Sequence, residues 1–208
     1  EWVLGDLRGK SAMHVTTEVD SQSGALTARN SYNTEFAERL AFFDVDDPAR
    51  SVSLTGDRRE FLGRNGTLPN PLALKRQRLS GKVGAGLDPC AAIQVSFDLA
   101  DGQARDIVFR LGVGHNADDA DKLIQRFRGG MAARGALEAV WQHWNHTLGA
   151  VQVETPDPAL NVLANGWLVY QTLACRVWAR SGYYQSGGAF GFRDQLQDMM
   201  ALIHAEPG

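Results

Sequence analysis

Hydrophobic and polar positions change rhythm near residue 115. Before it, short apolar runs are broken by turn residues; after it, apolar side chains recur every three or four positions. In CAAIQVSFDLADGQARDIVFRLGVG (90–114), Ile93, Val95, Phe97 and Leu99 alternate with polar partners. Asp101-Gly102 offers a turn, and Ile107, Phe109, Leu111 and Val113 resume the alternation. A period of two with one apolar face predicts a hairpin in a half-buried antiparallel sheet. RLAFFDVDD (39–47) reads as a strand running into a turn. TGDRREFLGRNGTLPNPLAL (55–74) is a long irregular segment, and such segments in compact domains often carry function. Its Asp57, Arg58, Arg59, Glu60 and Arg64 either line a groove or fix the loop by local ion pairs.

Beyond residue 115 the pattern predicts helices. NADDADKLIQRFR (116–128) opens on Asn116 as N-cap, with acidic residues in the first turn and basic ones at the close. Gly129-Gly130 ends it. A second helix, roughly 131–148, carries Leu137, Val140, Trp141, Trp144 and Leu148 as an apolar stripe read as core. Thr155-Pro156-Asp157-Pro158 is a strong helix start, capped by Thr155 or Asp157. The band from Leu160 through Val177 is too wide for a helix with water on most sides, so it predicts packing against two neighbours. Gly182 closes that helix, and RDQLQDMMALIHAEPG (193–208) reads as another, stopped at Pro207.

Composition narrows the function classes. The 208 residues suffice for one large domain or two small ones. A formal net charge of −3 gives no long-range pull on nucleic acid or an anionic membrane, and KRQR (75–78) reads as a solvated loop. No uncharged run reaches the roughly 18 residues of a membrane span, and EWVLGDLRGK lacks a signal-peptide pattern. Cys90 and Cys175 are too few and too far apart for a disulfide framework or a metal site. The five histidines show no HExxH spacing; His143 and His146 share a helix face beside two tryptophans and read as surface.

The concentrated chemistry lies in YYQSGGAFGFRDQLQD (183–198). A phosphate loop would need a preceding strand and a GxxxxGK[ST] lysine, and neither is present. Aromatics, amides and an Arg-Asp pair around flexible backbone suit a sugar. Aromatic faces stack on a pyranose, while guanidinium and carboxylate make charge-assisted hydrogen bonds to its hydroxyls. A structural turn remains the alternative on residue types alone.

TPDPALNVLANGWLVYQTLACRVWARSGYYQSGGAFGFRDQLQD closely resembles the start of the catalytic barrel of glycoside hydrolase family 94. YNTEFAERLAFFDV, TGDRREFLGRNGTL and GLDPCAAIQV are most similar to that family's cyclic β-1,2-glucan synthase branch. The resemblance covers nearly the whole chain, and GFRDQLQD is its specific part. It implies an α+β chain: the end of an antiparallel β-sandwich (supersandwich) at 1–115, a helical linker at 116–155, and the first helices of a truncated (α/α)6 barrel at 156–208. It also implies that Arg193 and Asp194 hold hydroxyls of the glucosyl unit in subsite −1, with Tyr184, Gln185 and Phe192 as further substrate contacts. Asp198 either supports them or simply complements the helix dipole.

Family 94 chemistry is inverting phosphorolysis. Inorganic phosphate attacks the anomeric carbon as co-substrate while one carboxylic acid protonates the leaving oxygen, and no cofactor or metal is implied. The acid and the phosphate-holding histidine and threonine lie downstream in the family, so no catalytic residue is expected here. Asp194 is not taken as the acid, because neighbouring arginines would keep it ionised. Gly187, Gly188 and Ala189 stand where some disaccharide phosphorylases have an arginine, which argues against direct phosphate binding by this stretch.

The resemblance therefore implies a piece of a larger enzyme, inactive alone. Its partners are a β-glucan or gluco-oligosaccharide and the rest of the parent chain. Nucleic acid is not among them, and an uncovered apolar face would favour homo-oligomers. The parent is expected on the cytoplasmic side of the bacterial inner membrane, anchored by regions outside this chain. The rival reading is a non-catalytic carbohydrate-binding or assembly module.

Overall fold

A computed structural model describes residues 1–46, 52–178 and 192–205, with backbone alone at 175–176, 192 and 194–195. The chain divides into two compact units, Glu1–Arg134 and Gly135–Gly208.

The first unit opens with a short helix α1 (Arg8–Ser11) and holds six strands in two sheets. β1 (Val15–Val19), β2 (Leu26–Asn30), β3 (Leu40–Val45) and β6 (Phe109–Gly114) form one antiparallel sheet in that order. β4 (Val52–Asp57) and β5 (Pro89–Val95) form the other, its register shifted between Thr55 and Asp57. α2 (Arg58–Leu62) follows β4 directly, with the Asp57 carboxylate accepting from the Arg59 amide as cap. α3 (Ala117–Arg126) and α4 (Gly130–Gly149) come after β6.

Each face of the four-stranded sheet carries a packed cluster. One face packs Val15, Ala28 and Ala41 against Trp2, Leu4 and Ala91, the last from β5. The other packs Ala25 and Phe42 against Ala120 and Ile124 of α3. Asn116 caps α3 as expected, its side chain accepting from the Asp119 amide at 2.9 Å.

The predicted 90–114 hairpin does not form. β5 pairs with β4 and β6 pairs with β3, so the two halves lie in different sheets, and Phe97 and Leu99 sit exposed outside any strand. Both halves find partners earlier in the chain, and the Asp101-Gly102 turn only reverses a connecting loop. The face of β6 is also inverted. Leu111 is 72% exposed and Phe109 and Val113 lie open beside it, whereas Arg110 is only 8% exposed. Two contacts set this choice. Gly112 lies opposite Phe42, where an added Cβ would stand 2.4 Å from the ring. Arg110 reaches across to Asp44, its neighbour in register.

That ion pair belongs to a buried network. Arg110 bonds Asp44 and Asp46, Arg128 bonds Asp44 at 3.1 Å and the Ser23 carbonyl at 2.9 Å, and the Gly129 amide donates to Asp46 at 2.6 Å. Burial alone would push the Asp46 carboxyl up. The Arg110 and Gly129 hydrogen bonds and the two guanidinium charges more than offset it, holding the group below its ordinary value of 3.8.

Breaking the network from one side leaves an uncompensated buried charge. Arg110→Ala is expected to cost about 3–5 kcal/mol in denaturant unfolding, whereas Leu111→Ala, at an exposed site, stays within about 0.5 kcal/mol. The reverse ranking would show that the sequence-predicted face is the buried one.

Candidate functional site

The second unit is sewn together by polar side chains that precede the Arg-Asp motif. α5 (Pro158–Val162) starts where expected: Asp157 accepts from the Ala159 amide at 2.9 Å and Pro158 occupies the first turn. Two asparagines then pin the extended segment before it. Asn161 accepts from the Thr155 amide at 2.9 Å and donates to its carbonyl at 3.1 Å. Asn165 does the same for Val153, at 2.7 and 2.8 Å. Each side-chain amide stands in for a strand neighbour, satisfying both polar groups of one backbone residue.

This arrangement overturns the single long helix expected from 158 onward. The chain kinks at Asn165 and at Gly166, whose φ of 119° lies where only glycine is unstrained. α6 (Leu168–Thr172) resumes in a new direction, flanked by wide π turns at 163–167 and 173–177. The kink frees Asn165 from its helical role to bracket Val153. Apolar periodicity does not report such a break; the N-x-x-x-N spacing after a Pro-Asp-Pro start was the available signal.

α7 (Phe192–Met199) carries the motif and runs into a 3-10 turn over Met200–His204. Leu202 and Ala205 pack with Val169, Leu148 and Leu173, which fixes the C-terminal side of α7 against α6 and α4. Arg193 stands exposed in the first turn and Asp198 is half-buried a turn further on. Phe192 and Asp194 share that first turn through their backbones, their side chains lying outside the described residues. Tyr184 and Gln185, with the rest of 179–191, lie outside them altogether.

An aromatic cluster links α4 with α6 and its flanking turns. Trp144 stands 5.6 Å from Tyr170 and 5.5 Å from Trp178, and Trp167 stands 5.8 Å from Tyr170. The α4 stripe was read as core, yet Leu137 and Val140 are exposed and Trp141 is 62% exposed. No described element of this unit covers them. His143 lies edge-on to Trp144, and among the described residues no group of three or more metal-ligating side chains occurs.

Of the charged residues of 55–74, Asp57, Arg59 and Glu60 line a groove, while Asp57, Arg58 and Glu60 also make local polar pairs. Asp57 accepts from Lys82 at 2.6 Å, and Glu60 accepts from the Thr55 and Ser80 hydroxyls, each at 2.6 Å. Arg58 lies 3.8 Å from Asp88. These local bonds fix the loop and also line a groove of about 440 Å³. Burial opposes ionisation of Asp57 and Glu60, but their hydrogen bonds and cationic neighbours hold both carboxyls below the ordinary 3.8 and 4.5. Arg64 is exposed.

Sequence comparison identifies the family. Residues 1–130 match the model "Glycosyl hydrolase 94, supersandwich domain", and residues 143–208 match "Glycosyl hydrolase 94 superfamily, catalytic domain". The chain belongs to glycosyl hydrolase family 94. It is 42% identical over 206 residues, 98% of its length, to the cyclic beta-(1,2)-glucan synthase NdvB of Rhizobium meliloti, and covers 7% of that protein. It is 29% identical over 183 residues, 85% of its length, to the N,N'-diacetylchitobiose phosphorylase of Vibrio proteolyticus, and 30% identical over 179 residues, again 85%, to that of Vibrio furnissii. It spans 22% of each phosphorylase. No helix among the described residues is long and apolar enough to cross a membrane.

Two measurements check this geometry. Asn165→Ala strands the polar groups of Val153 and is expected to cost about 1–2 kcal/mol, read as a lowered melting temperature; an unchanged value would mean the bracket is not formed. Asp46, Asp57 and Glu60 all have folded-state pKa values below their unfolded ones, so their stabilisation is complete above the ordinary carboxylate range and lost as pH falls through it and below. Asp121, raised by burial and by Asp20 and Asp118, works in the opposite sense. Unfolding midpoints should drop from pH 6 to pH 3, and a rise would contradict the network.

Proposed function

We propose that this chain is the junction of a β-glucan-processing enzyme, in which the sandwich at 1–115 leads through a helical linker at 116–155 into the opening helices of an (α/α)6 barrel from 156. Its role is to supply glucosyl contacts at subsite −1 for inverting phosphorolysis or transfer. The observation that carries this reading is the GFRDQLQD turn, within a family match that runs through both ends of the chain. The similarity to NdvB over 98% of the chain supports a β-1,2-glucan as substrate.

In this reading Arg193 and Asp194 grip vicinal hydroxyls of the non-reducing glucose. A guanidinium presents a rigid fork of donors and a carboxylate accepts from two hydroxyls, so together they fix ring orientation without moving a proton. Tyr184, Gln185 and Phe192 complete the ring's surroundings and Asp198 backs the first turn of α7. Phosphate then attacks the anomeric carbon from the opposite face, while an acid from a later part of the parent protein protonates the leaving oxygen. Phosphate is the co-substrate and no cofactor is required. The parent is placed on the cytoplasmic side of the inner membrane, anchored by other regions. The rest of its chain covers the exposed Leu137, Val140 and Trp141, and the isolated piece self-associates through them.

The test is release of glucose 1-phosphate from β-1,2-gluco-oligosaccharides and phosphate. The parent protein is expected to catalyse it and the isolated 208 residues are not. Arg193→Ala in the parent should lower kcat/KM about 10- to 100-fold through loss of a charge-assisted hydrogen bond. Turnover by the isolated chain, or an unaffected Arg193→Ala parent, would overturn the assignment.

A further inference from the structure

The groove beside α2 is not used by the subsite reading. It is walled by Arg59, Arg76 and Lys82, with Ser80, Gly86 and Leu87 between them, and holds about 440 Å³. That volume lies within the range of small-molecule sites.

The carboxylates around it are already occupied. Asp57 takes one bond from the Arg59 amide at 3.0 Å and one from Lys82 at 2.6 Å. Glu60 takes four: the Thr55 and Ser80 hydroxyls on one oxygen, the Ser80 amide at 2.9 Å and Arg76 at 3.5 Å on the other. Asp88 is paired with Arg8 and Arg58.

The cations are not matched in the same way. Arg59 is exposed, and its guanidinium acts on Asp57 through its charge without forming an ion pair among the described residues. Arg76 spends one nitrogen on a long contact, and Lys82 keeps two of its three protons free of Asp57. The lining balances Asp57, Glu60 and Asp88 against Arg59, Arg76 and Lys82, but Asp88 is taken by Arg8 and Arg58, so the groove keeps one cation, Arg59, beyond its paired carboxylates. A compact ligand with several negative oxygens fits this surplus, and a neutral hydroxyl or amide does not exploit it.

One wall is also open. Gly86, which lines it, has a φ of 72°, and a Cβ there would meet nothing within 4 Å. Space beside the anion is thus free for a substituent.

We propose that Arg59, Arg76 and Lys82 form an oxyanion site for a phosphate group, either free phosphate or the phosphate of a monoester. The site lies in the sandwich and stands or falls separately from the Arg193 subsite.

Isothermal titration of the 208-residue chain at low ionic strength, with inorganic phosphate and separately with glucose 1-phosphate, tests it. Saturable binding is expected, weakened at least about 10-fold in Arg59→Ala and partly restored in Arg59→Lys, with circular dichroism unchanged because Arg59 is exposed. Tighter binding of glucose 1-phosphate identifies the monoester as ligand; tighter binding of phosphate identifies the free ion. Equal affinity in wild type and Arg59→Ala overturns the site. So does absence of saturable binding in wild type, or loss of binding in Arg193→Ala but not Arg59→Ala.

Discussion

Arg110 carries a guanidinium into the interior of the sandwich, where it meets Asp44 on the neighbouring strand and Asp46 just beyond it. Removing two carboxylates and a guanidinium from water is costly, and the cost is offset only if all three find one another with good geometry. That requirement fixes several things together. It holds β6 beside β3 in a register that places Arg110 opposite Asp44. Through Arg128 and the Gly129 amide it also holds the turn from α3 into α4 against the end of β3. Within the first unit, α3 is thus held by charge pairing at its C-terminal end as well as by its apolar contacts.

The second unit uses uncharged amides for the same purpose. Asn161 and Asn165 bracket an extended segment that has no strand partner, and Gly166 allows the kink that brings Asn165 into reach. With Leu202 and Ala205 packed against Val169, α7 is held by its C-terminal side, and Arg193 near its start is exposed.

Much of this was legible in the residues. Asn116 and the Thr-Pro-Asp-Pro start marked helix beginnings because capping is local chemistry, decided within a turn of the chain. RLAFFDVDD gave the core strand, and the family resemblance is matched at both ends. Strand pairing was not legible. Ile107 through Val113 alternate as a half-buried strand should, yet the buried face is that of Arg110 and Gly112. The decision rests on partners at residues 42 and 44 that no local pattern reveals. The exposure of Leu137, Val140 and Trp141 escaped for a related reason, since a stripe specifies a covered face but not which element covers it. The groove at Arg59 was foreshadowed by the charge-rich irregular segment 55–74, although only the fold showed which carboxylates were already paired.

The central functional claim concerns two side chains and a sugar. A crystal structure of the parent protein with a β-1,2-gluco-oligosaccharide would test it most directly. The account predicts hydroxyls of one glucose within about 2.6–3.2 Å of the Arg193 guanidinium and the Asp194 carboxylate. A glucose bound elsewhere, with both side chains turned into the protein core, would contradict it.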